Sequence, residues 1–352
     1  LGAIDEFIAN ALLTHSLNLL RLAADARMRV LAILLTMSQE MAAKLSEEDV
    51  SDFGRQRMNT LLREAGATID RYYSQVQAEM LGELADLVKI EASFTANTLA
   101  QAFQAQLGMG LPPETYLEKL VGDTLIKGAA SKDWWIRQKM DTQFRFANAV
   151  RQGAAQGETN SEIVARIVGR KGVPGVMDVS RRNAYGLVQT SIQAVANAAR
   201  LETFKKNADV INCLVWMSTL DSHTCLQCAE RDLAEYGLED QEPLNGAPQA
   251  DGGPGAIHFA CRCAWSTQTK TFAELGIDLP EPAPSTRASR DGQVSGNMTF
   301  SDWLAGKDAA FRKEYLGPGR AELYESGKIT LNDLMDQRGN PLTLAQLRTQ
   351  YQ

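Results

Sequence analysis

The chain has 352 residues, 44% of them hydrophobic and 22% charged, an ordinary balance for a soluble globular protein and enough length for two or three domains. Its formal net charge of −7 argues against a protein that coats nucleic acid, which would be basic. The apolar run Val30 to Met37 falls far short of the roughly 20 residues that a membrane span needs. Asp5 and Glu6 also stand where a signal peptide would carry basic residues. The expectation is a protein with no membrane segment and no export signal.

Charge is unevenly spread, with −5 over residues 1–111, +5 over 112–209, −7 over 210–280 and a balance of zero over 281–352. The basic middle can meet DNA or an acidic partner, although a solvated helix face is the commoner origin of such a count.

Residues 1–111 contain no proline and are rich in Ala, Leu, Gln, Glu and Met, which lose little rotamer freedom in a helix. In the first segment Leu20, Ala24, Met28, Leu31, Leu35, Ala42 and Leu45 fall on one helical face. Ser46, followed by three acids, reads as a break and the cap of a new helix. The second segment keeps three-four spacing through Leu61, Ala65, Ile69, Tyr72, Val76, Met80, Leu84 and Leu87. Run unbroken from Phe53 to Gln106, it would be roughly 80 Å long, with Gly66 and Gly82 as places to bend. So long a stripe needs an antiparallel partner helix within the chain or docking on a larger assembly to cover it, and residues 1–111 are read as a long helical arm.

Pro112-Pro113 ends this region, and a helical domain follows over 112–209. It breaks at Gly157 and again in the run Gly169–Gly175, with Asn160 or Ser161 as an N-cap and a clear helix from Val179 to Lys206. Trp134, Trp135, Phe144 and Phe146 read as core aromatics. Residues 211–219 are β-branched, aromatic and apolar and predict a strand, and Cys263 to Thr269 predicts another. The long loop between them needs a staple or a function. Residues 281–298 read as a linker, and 299–352 as a helical tail with N-caps at Ser301, Thr330 and Thr343.

Two close cysteine pairs, Cys225-x-x-Cys228 and Cys261-x-Cys263, bracket that loop, and His258 precedes the second. Zinc takes about four thiolate and imidazole ligands in a tetrahedron, so Cys225, Cys228, His258, Cys261 and Cys263 offer five candidates for four places on one structural ion. A disulfide, or thiols without a ligand, are the alternatives. Cys213 reads as a buried apolar residue, His223 as a polar loop residue, and His15 has no partner in view. There is no phosphate-binding loop, nucleophile elbow, helical zinc-protease motif or dinucleotide fingerprint, so no catalytic residue is assigned. The fold class expected is mainly α, with a small α+β Cys/His knuckle over 210–280, long N-terminal helices and a helical C-terminal tail.

Trp216, the run Ser218–Cys228 with its Asp221-x-x-Thr224-Cys225 element, and the run His258–Cys263 ending Cys-Arg-Cys resemble the phage head morphogenesis family, the Mu-F-like minor head proteins. The helix Asn183–Arg200 with Thr190 and Asn197, and the tail from Phe300 to Leu347, resemble it too. The Mu branch carries a basic residue and a histidine where Cys225 and Cys228 stand. The resemblance implies a non-enzymatic virion component of the head interior, assembled in the host cytoplasm and associated with the portal protein at the portal vertex in several copies. It implies major capsid or scaffolding protein as further partners, and viral DNA through the basic region 112–209. The alternatives are a zinc-ribbon DNA-binding module, which the acidity of 210–280 opposes, and a metal-dependent nuclease or hydrolase, which needs an open metal position.

Overall fold

A computed structural model describes residues 2–47, 55–103, 108–250, 252–276, 278, 286–336 and 339–351. The chain is mainly α, 62% helical, with three small antiparallel sheets among the described residues.

Helices α1 (Ala3–Glu47) and α2 (Arg55–Ala102) form an antiparallel pair, as their cross-contacts show: His15 meets Glu91, Arg29 meets Glu79 and Glu83, and Glu40 meets Arg71 and Tyr72. The eight stripe residues of α2 from Leu61 to Leu87 are all buried, and the helix runs on through Gly66 and Gly82. The expected ends Phe53 and Gln106 lie outside the described residues.

On α1 the buried face differs from the expected one. Leu19, Ala23, Ala26, Val30, Leu34, Met37 and Met41 face the core, while Met28 is 66% and Leu35 48% exposed. The sequence here is apolar on two adjoining faces, so periodicity alone does not choose between them. The buried one carries Ala23 and Ala26, whose small side chains allow the neighbouring helices to approach closely. Ser46 lies in the last turn of α1 and donates its hydroxyl to the Ala42 carbonyl at 2.9 Å, so it does not begin a helix. Residues 48–54 are outside the described residues.

After Pro112-Pro113 come α3 (Glu114–Asp123), the hairpin β1 (Leu125–Ile126) and β2 (Ala129–Ala130), α4 (Ser131–Ala155), α5 (Asn160–Val168) and α6 (Val176–Lys206). Thr159, one residue before the expected cap, closes the N-terminus of α5 in a reciprocal box with Glu162. Trp135 and Phe146 are buried, but Phe144 is 68% exposed and Trp134 half-buried, so only two of the four aromatics belong to the core. Helix α6 is the axis of the molecule. It packs on α1, α2 and α4 in one apolar core that also holds Trp135, Phe146, Ile163 and Ile167.

The C-terminal end of α6 passes into a three-stranded sheet of order β4-β3-β5, built from β3 (Ile211–Met217), β4 (Glu235–Tyr236) and β5 (Ala264–Thr269), with the one-turn helix α7 (Leu226–Glu230) between β3 and β4. Trp216, Tyr236 and Trp265 pack edge to face beneath it at 5.3 to 6.3 Å. Inside 281–298, read as a linker, residues 286–295 form a hairpin of β6 (Thr286–Ser289) and β7 (Gly292–Ser295). The tail continues with α8 (Phe300–Ala305), α9 (Ala309–Leu316), α10 (Pro318–Glu325) and α11 (Leu344–Gln350) around its own core of Phe300, Trp303, Leu304, Leu334 and Leu347. Thr343 caps α11 as expected, whereas Thr299 rather than Ser301 caps α8.

Two buried ion pairs join these parts. Glu91 of α2 and Arg200 of α6 are both fully buried, with Arg200 Nε 2.9 Å from Glu91 Oε1. His15 of α1, stacked on Phe94 at 3.8 Å, reaches the other Glu91 oxygen at 2.8 Å. Asp232 accepts from Arg287 at 3.0 and 3.1 Å and from the backbone amides of Ser218 and Phe300 at 2.8 and 2.7 Å. That carboxylate thus ties β3, the hairpin and the tail to one point. At the other end of the sheet, Asp5 in the first turn of α1 accepts from the amide and hydroxyl of Thr269, each at 2.7 Å.

Burial alone would raise the Glu91 carboxyl, but the Arg200 charge and the His15 bond outweigh it and hold the group below its ordinary value of 4.5. A carboxyl depressed in the folded state contributes stability above its unfolded value and loses it as the pH falls. Glu91→Gln leaves Arg200 buried without its counter-charge, which costs roughly 3–5 kcal/mol. Urea denaturation at neutral pH should show that loss, and the gap from the unmodified protein should narrow at a pH of about 3.5. An equal gap at both pH values would rule out the ion pair as its source.

Candidate metal centre

Strand β3 runs out at Met217 into a tight turn whose geometry Asp221 sets, accepting from the amides of His223 and Thr224 at 2.8 and 3.1 Å. The turn delivers Cys225 to the N-cap of α7 and Cys228 to its first turn, so both sulfurs leave the same end of a short helix. The second cysteine pair arrives on the returning loop, which is held against α6 at three points. Thr190 Oγ1 accepts from the Ala260 amide at 2.9 Å, Asn197 Nδ2 donates to the Cys263 carbonyl at 3.2 Å, and Asn197 Oδ1 accepts from the Trp265 amide at 2.9 Å. Gly255 makes this approach possible: its φ is +84°, and a β-carbon there would stand 2.7 Å from the backbone of Gln193.

The donor atoms converge. Cys225 Sγ and Cys228 Sγ are each 3.1 Å from His258 Nε2, and Cys228 Sγ is 3.8 Å from Cys261 Sγ. Two overlapping trios result, Cys225–Cys228–His258 and Cys228–Cys261–Cys263, each with its donor atoms within 4.8 Å of one another. All five cysteines are free thiols. Two thiolates at about 2.3 Å from one tetrahedral ion stand roughly 3.8 Å apart, so the Cys228–Cys261 separation suits a shared ion. His258 keeps Nε2 toward the sulfurs while Nδ1 lies 2.9 Å from the Phe259 carbonyl, the kind of outer contact that fixes a ligating ring. These residues could hold a metal ion.

Electrostatics at the cluster run the same way. The bond from Cys228 and the neighbouring His258 pull the Cys225 thiol down to about 4 against its burial. Bonds from Cys228 and Cys263 bring Cys261 well below the usual thiol range. Burial lowers His258, but the two sulfurs Cys225 and Cys261 override it and push it up to about 11. Cys228, by contrast, is pushed well up by its bonds with Cys225 and Cys261, so the cluster favours thiolate at Cys225 and Cys261 facing the His258 charge, and a cation bound here would displace the Cys228 proton.

Cys263 belongs to the second trio and also has a hydroxyl partner. It is buried and its thiol donates to Ser218 Oγ at 3.5 Å, while the Ser218 hydroxyl donates to the Cys228 carbonyl at 2.6 Å. Its thiol is pushed well up, first by burial. His223 is exposed and belongs to neither trio. Cys213 sits buried in β3, its thiol raised to about 12 by burial. Sequence reasoning missed Arg262, which grips Asp221 with two bonds of 2.6 Å and so locks the two ligand-bearing turns together. The only hint was its place between Cys261 and Cys263.

The match to a known family covers this same ground. Comparison with curated proteins and with solved structures gives no match. Residues 145–266, which run from α4 to the start of β5 and include every candidate ligand, match the family described as Phage Mu protein F like protein, consistent with a Mu-F-like phage head morphogenesis protein.

Proposed function

We propose that the chain is a minor head protein of a tailed phage, a structural and assembly factor associated with the portal that assists DNA packaging or delivery. The observation that carries the reading is the coincidence of the Mu-F-like segment with the clamped cysteine knuckle. In this reading the portal protein is the principal partner, with major capsid or scaffolding protein beside it. Viral DNA meets the basic region 112–209, and the N-terminal helices form part of the docking surface. The protein works in the head interior near the portal vertex, after assembly in the host cytoplasm. No helix of the described residues is long and apolar enough to cross a membrane. Chemical cross-linking of purified heads should give adducts between this chain and the portal protein. Adducts only with the outer shell, or absence of the chain from purified heads, would overturn the placement.

The knuckle's task in this reading is structural. Cys225, Cys228, His258 and Cys261 hold one zinc ion, which staples the loop after β4 onto α7, and Cys263 is the buried thiol behind them. A site closed by four protein ligands leaves no place for an activated water, which removes a hydrolase. The chain then has no turnover of its own. Purified native protein should contain about one equivalent of zinc. Cys225→Ser, Cys228→Ser and Cys261→Ser should each lose it and become protease-sensitive between Val215 and Thr269, because a structural site contributes folding energy outright. Cys263→Ser should keep the metal. Zinc-free protein with a protease-resistant knuckle would sink the assignment, and loss of zinc in Cys263→Ser would exchange Cys263 into the ligand set.

A further inference from the structure

Two surface features carry opposite charge, and their charged groups make no ion pair among the described residues. The first is a pocket of 370 Å³ between α4 and α6, lined among others by Trp134, Arg137, Asp141, Arg182 and Phe259. Phe259 is 40% exposed and stands edge-on to Trp134 at 5.2 Å. Arg137 lies over the Trp134 ring, and neither it nor Arg182 takes part in an ion pair among the described residues. This is an apolar mouth with two arginines on its rim, set against the carboxylate of Asp141, with Asp178 acting on Arg182 from the side of α6.

The second feature is the loop after β4, residues 237–245, which carries Glu239, Asp240 and Glu242 and then Leu244, 38% exposed. Its backbone is braced. The Gly237 amide donates to the Glu242 carbonyl at 2.9 Å, the Gln241 amide to the Gly237 carbonyl at 3.0 Å, and the Leu244 amide to the Glu235 carbonyl at 2.9 Å. None of the three acids has a cation at ion-pair distance among the described residues. An ordered loop thus presents an apolar side chain beside uncompensated carboxylates, the complement of the pocket in both shape and charge. The loop lies away from the pocket of its own chain. Gln241 lines a cavity with Ala194 and Asn197, about 10 Å along α6 from the pocket residue Leu187 at 1.5 Å per residue.

We infer that the occupant of the α4–α6 pocket is the acidic loop of a second copy of this chain, with Leu244 entering beside Trp134 and Phe259 and the carboxylates meeting Arg137 and Arg182. Such a contact joins two different surfaces and can be made reciprocally about a two-fold axis; made head to tail it is heterologous, and each copy keeps one free pocket and one free loop. Contacts of this kind close into rings or grow as filaments. The contrast between +5 over 112–209 and −7 over 210–280 favours a contact between the helical domain of one copy and the knuckle of another. The contact requires neither the metal nor a phage head.

Sedimentation velocity on the full chain tests it. The unmodified protein should associate as its concentration rises into the high micromolar range, and less so in high salt, since exposed charges are screened within about 10 Å at 0.1 M. The double variant Arg137→Glu, Arg182→Glu should stay monomeric, as should Glu239→Lys, Glu242→Lys. All four side chains are at the surface or rim, and Leu244→Asp should give the same loss from the apolar side. Mixing the two double variants restores opposite charge at both kinds of contact, native loop with native pocket and reversed loop with reversed pocket, so the mixture should associate where neither variant alone does. The mixture should therefore reach the same sizes as the unmodified chain. An unmodified chain that stays monomeric throughout, or variants that associate as it does, would overturn the proposal. So would a mixture that fails to dimerise, and so would binding of short duplex DNA by a monomeric chain that the Arg137/Arg182 variant abolishes, which would assign the pocket rim to nucleic acid.

Discussion

The buried pair Glu91–Arg200 is the constraint on which the architecture turns. Two opposite charges taken out of water demand full compensation, and here that compensation comes from three helices and a strand. Arg200 satisfies Glu91 and also reaches the Trp265 carbonyl of β5 at 3.4 Å, while His15 takes the second carboxylate oxygen. Because one guanidinium answers to α2 and to the sheet at once, the position of α6 against the long pair also fixes where β5 lies. The knuckle inherits its place from that choice.

From this point outward the molecule is held by polar clamps on an apolar scaffold. Thr190, Asn197 and Arg200 lie along the side of α6 that meets the loop and β5, and each bonds backbone or charge beyond its own helix. Asp232 does the same for the tail, and Asp5 ties the start of α1 to the end of β5. The helical core and the knuckle are consequently interlocked. Removing the long helices would expose the apolar side of α6 and strip Arg200 of its counter-charge. A surface substitution is the better tool for separating docking from folding.

The cysteine cluster shows how little local structure a metal-type site needs when its supports are firm. One helical turn supplies two sulfurs, and a glycine-rich loop supplies the imidazole and the facing thiol. The bidentate Asp221–Arg262 pair closes the gap between the two turns. Burial would disfavour thiolates here, yet the facing imidazole and the neighbouring thiols reverse that preference at Cys225 and Cys261. The same loop leaves Phe259 exposed at the mouth of the α4–α6 pocket, so the knuckle and the surface beside it are parts of one construction.

The sequence by itself determined the helical class, the α2 stripe, the two principal strands and the five clustered Cys and His side chains, because three-four spacing, β-branched runs and paired cysteines are local signals. It also singled out Thr190 and Asn197 through family likeness, without showing that they clamp the loop. Only the tertiary structure decided which face of α1 is buried, since two adjoining apolar stripes are equivalent until α2 and α6 choose between them. Phe144 and Phe146 are likewise indistinguishable in sequence, and packing alone put one in the core and the other in solvent. His15 had no visible partner because Glu91 lies 76 residues away. Arg287 sat in a stretch that reads as linker because its partner Asp232 is 55 residues distant. Ion pairs between remote residues leave no periodic trace, and they are what sets the parts of this protein in place.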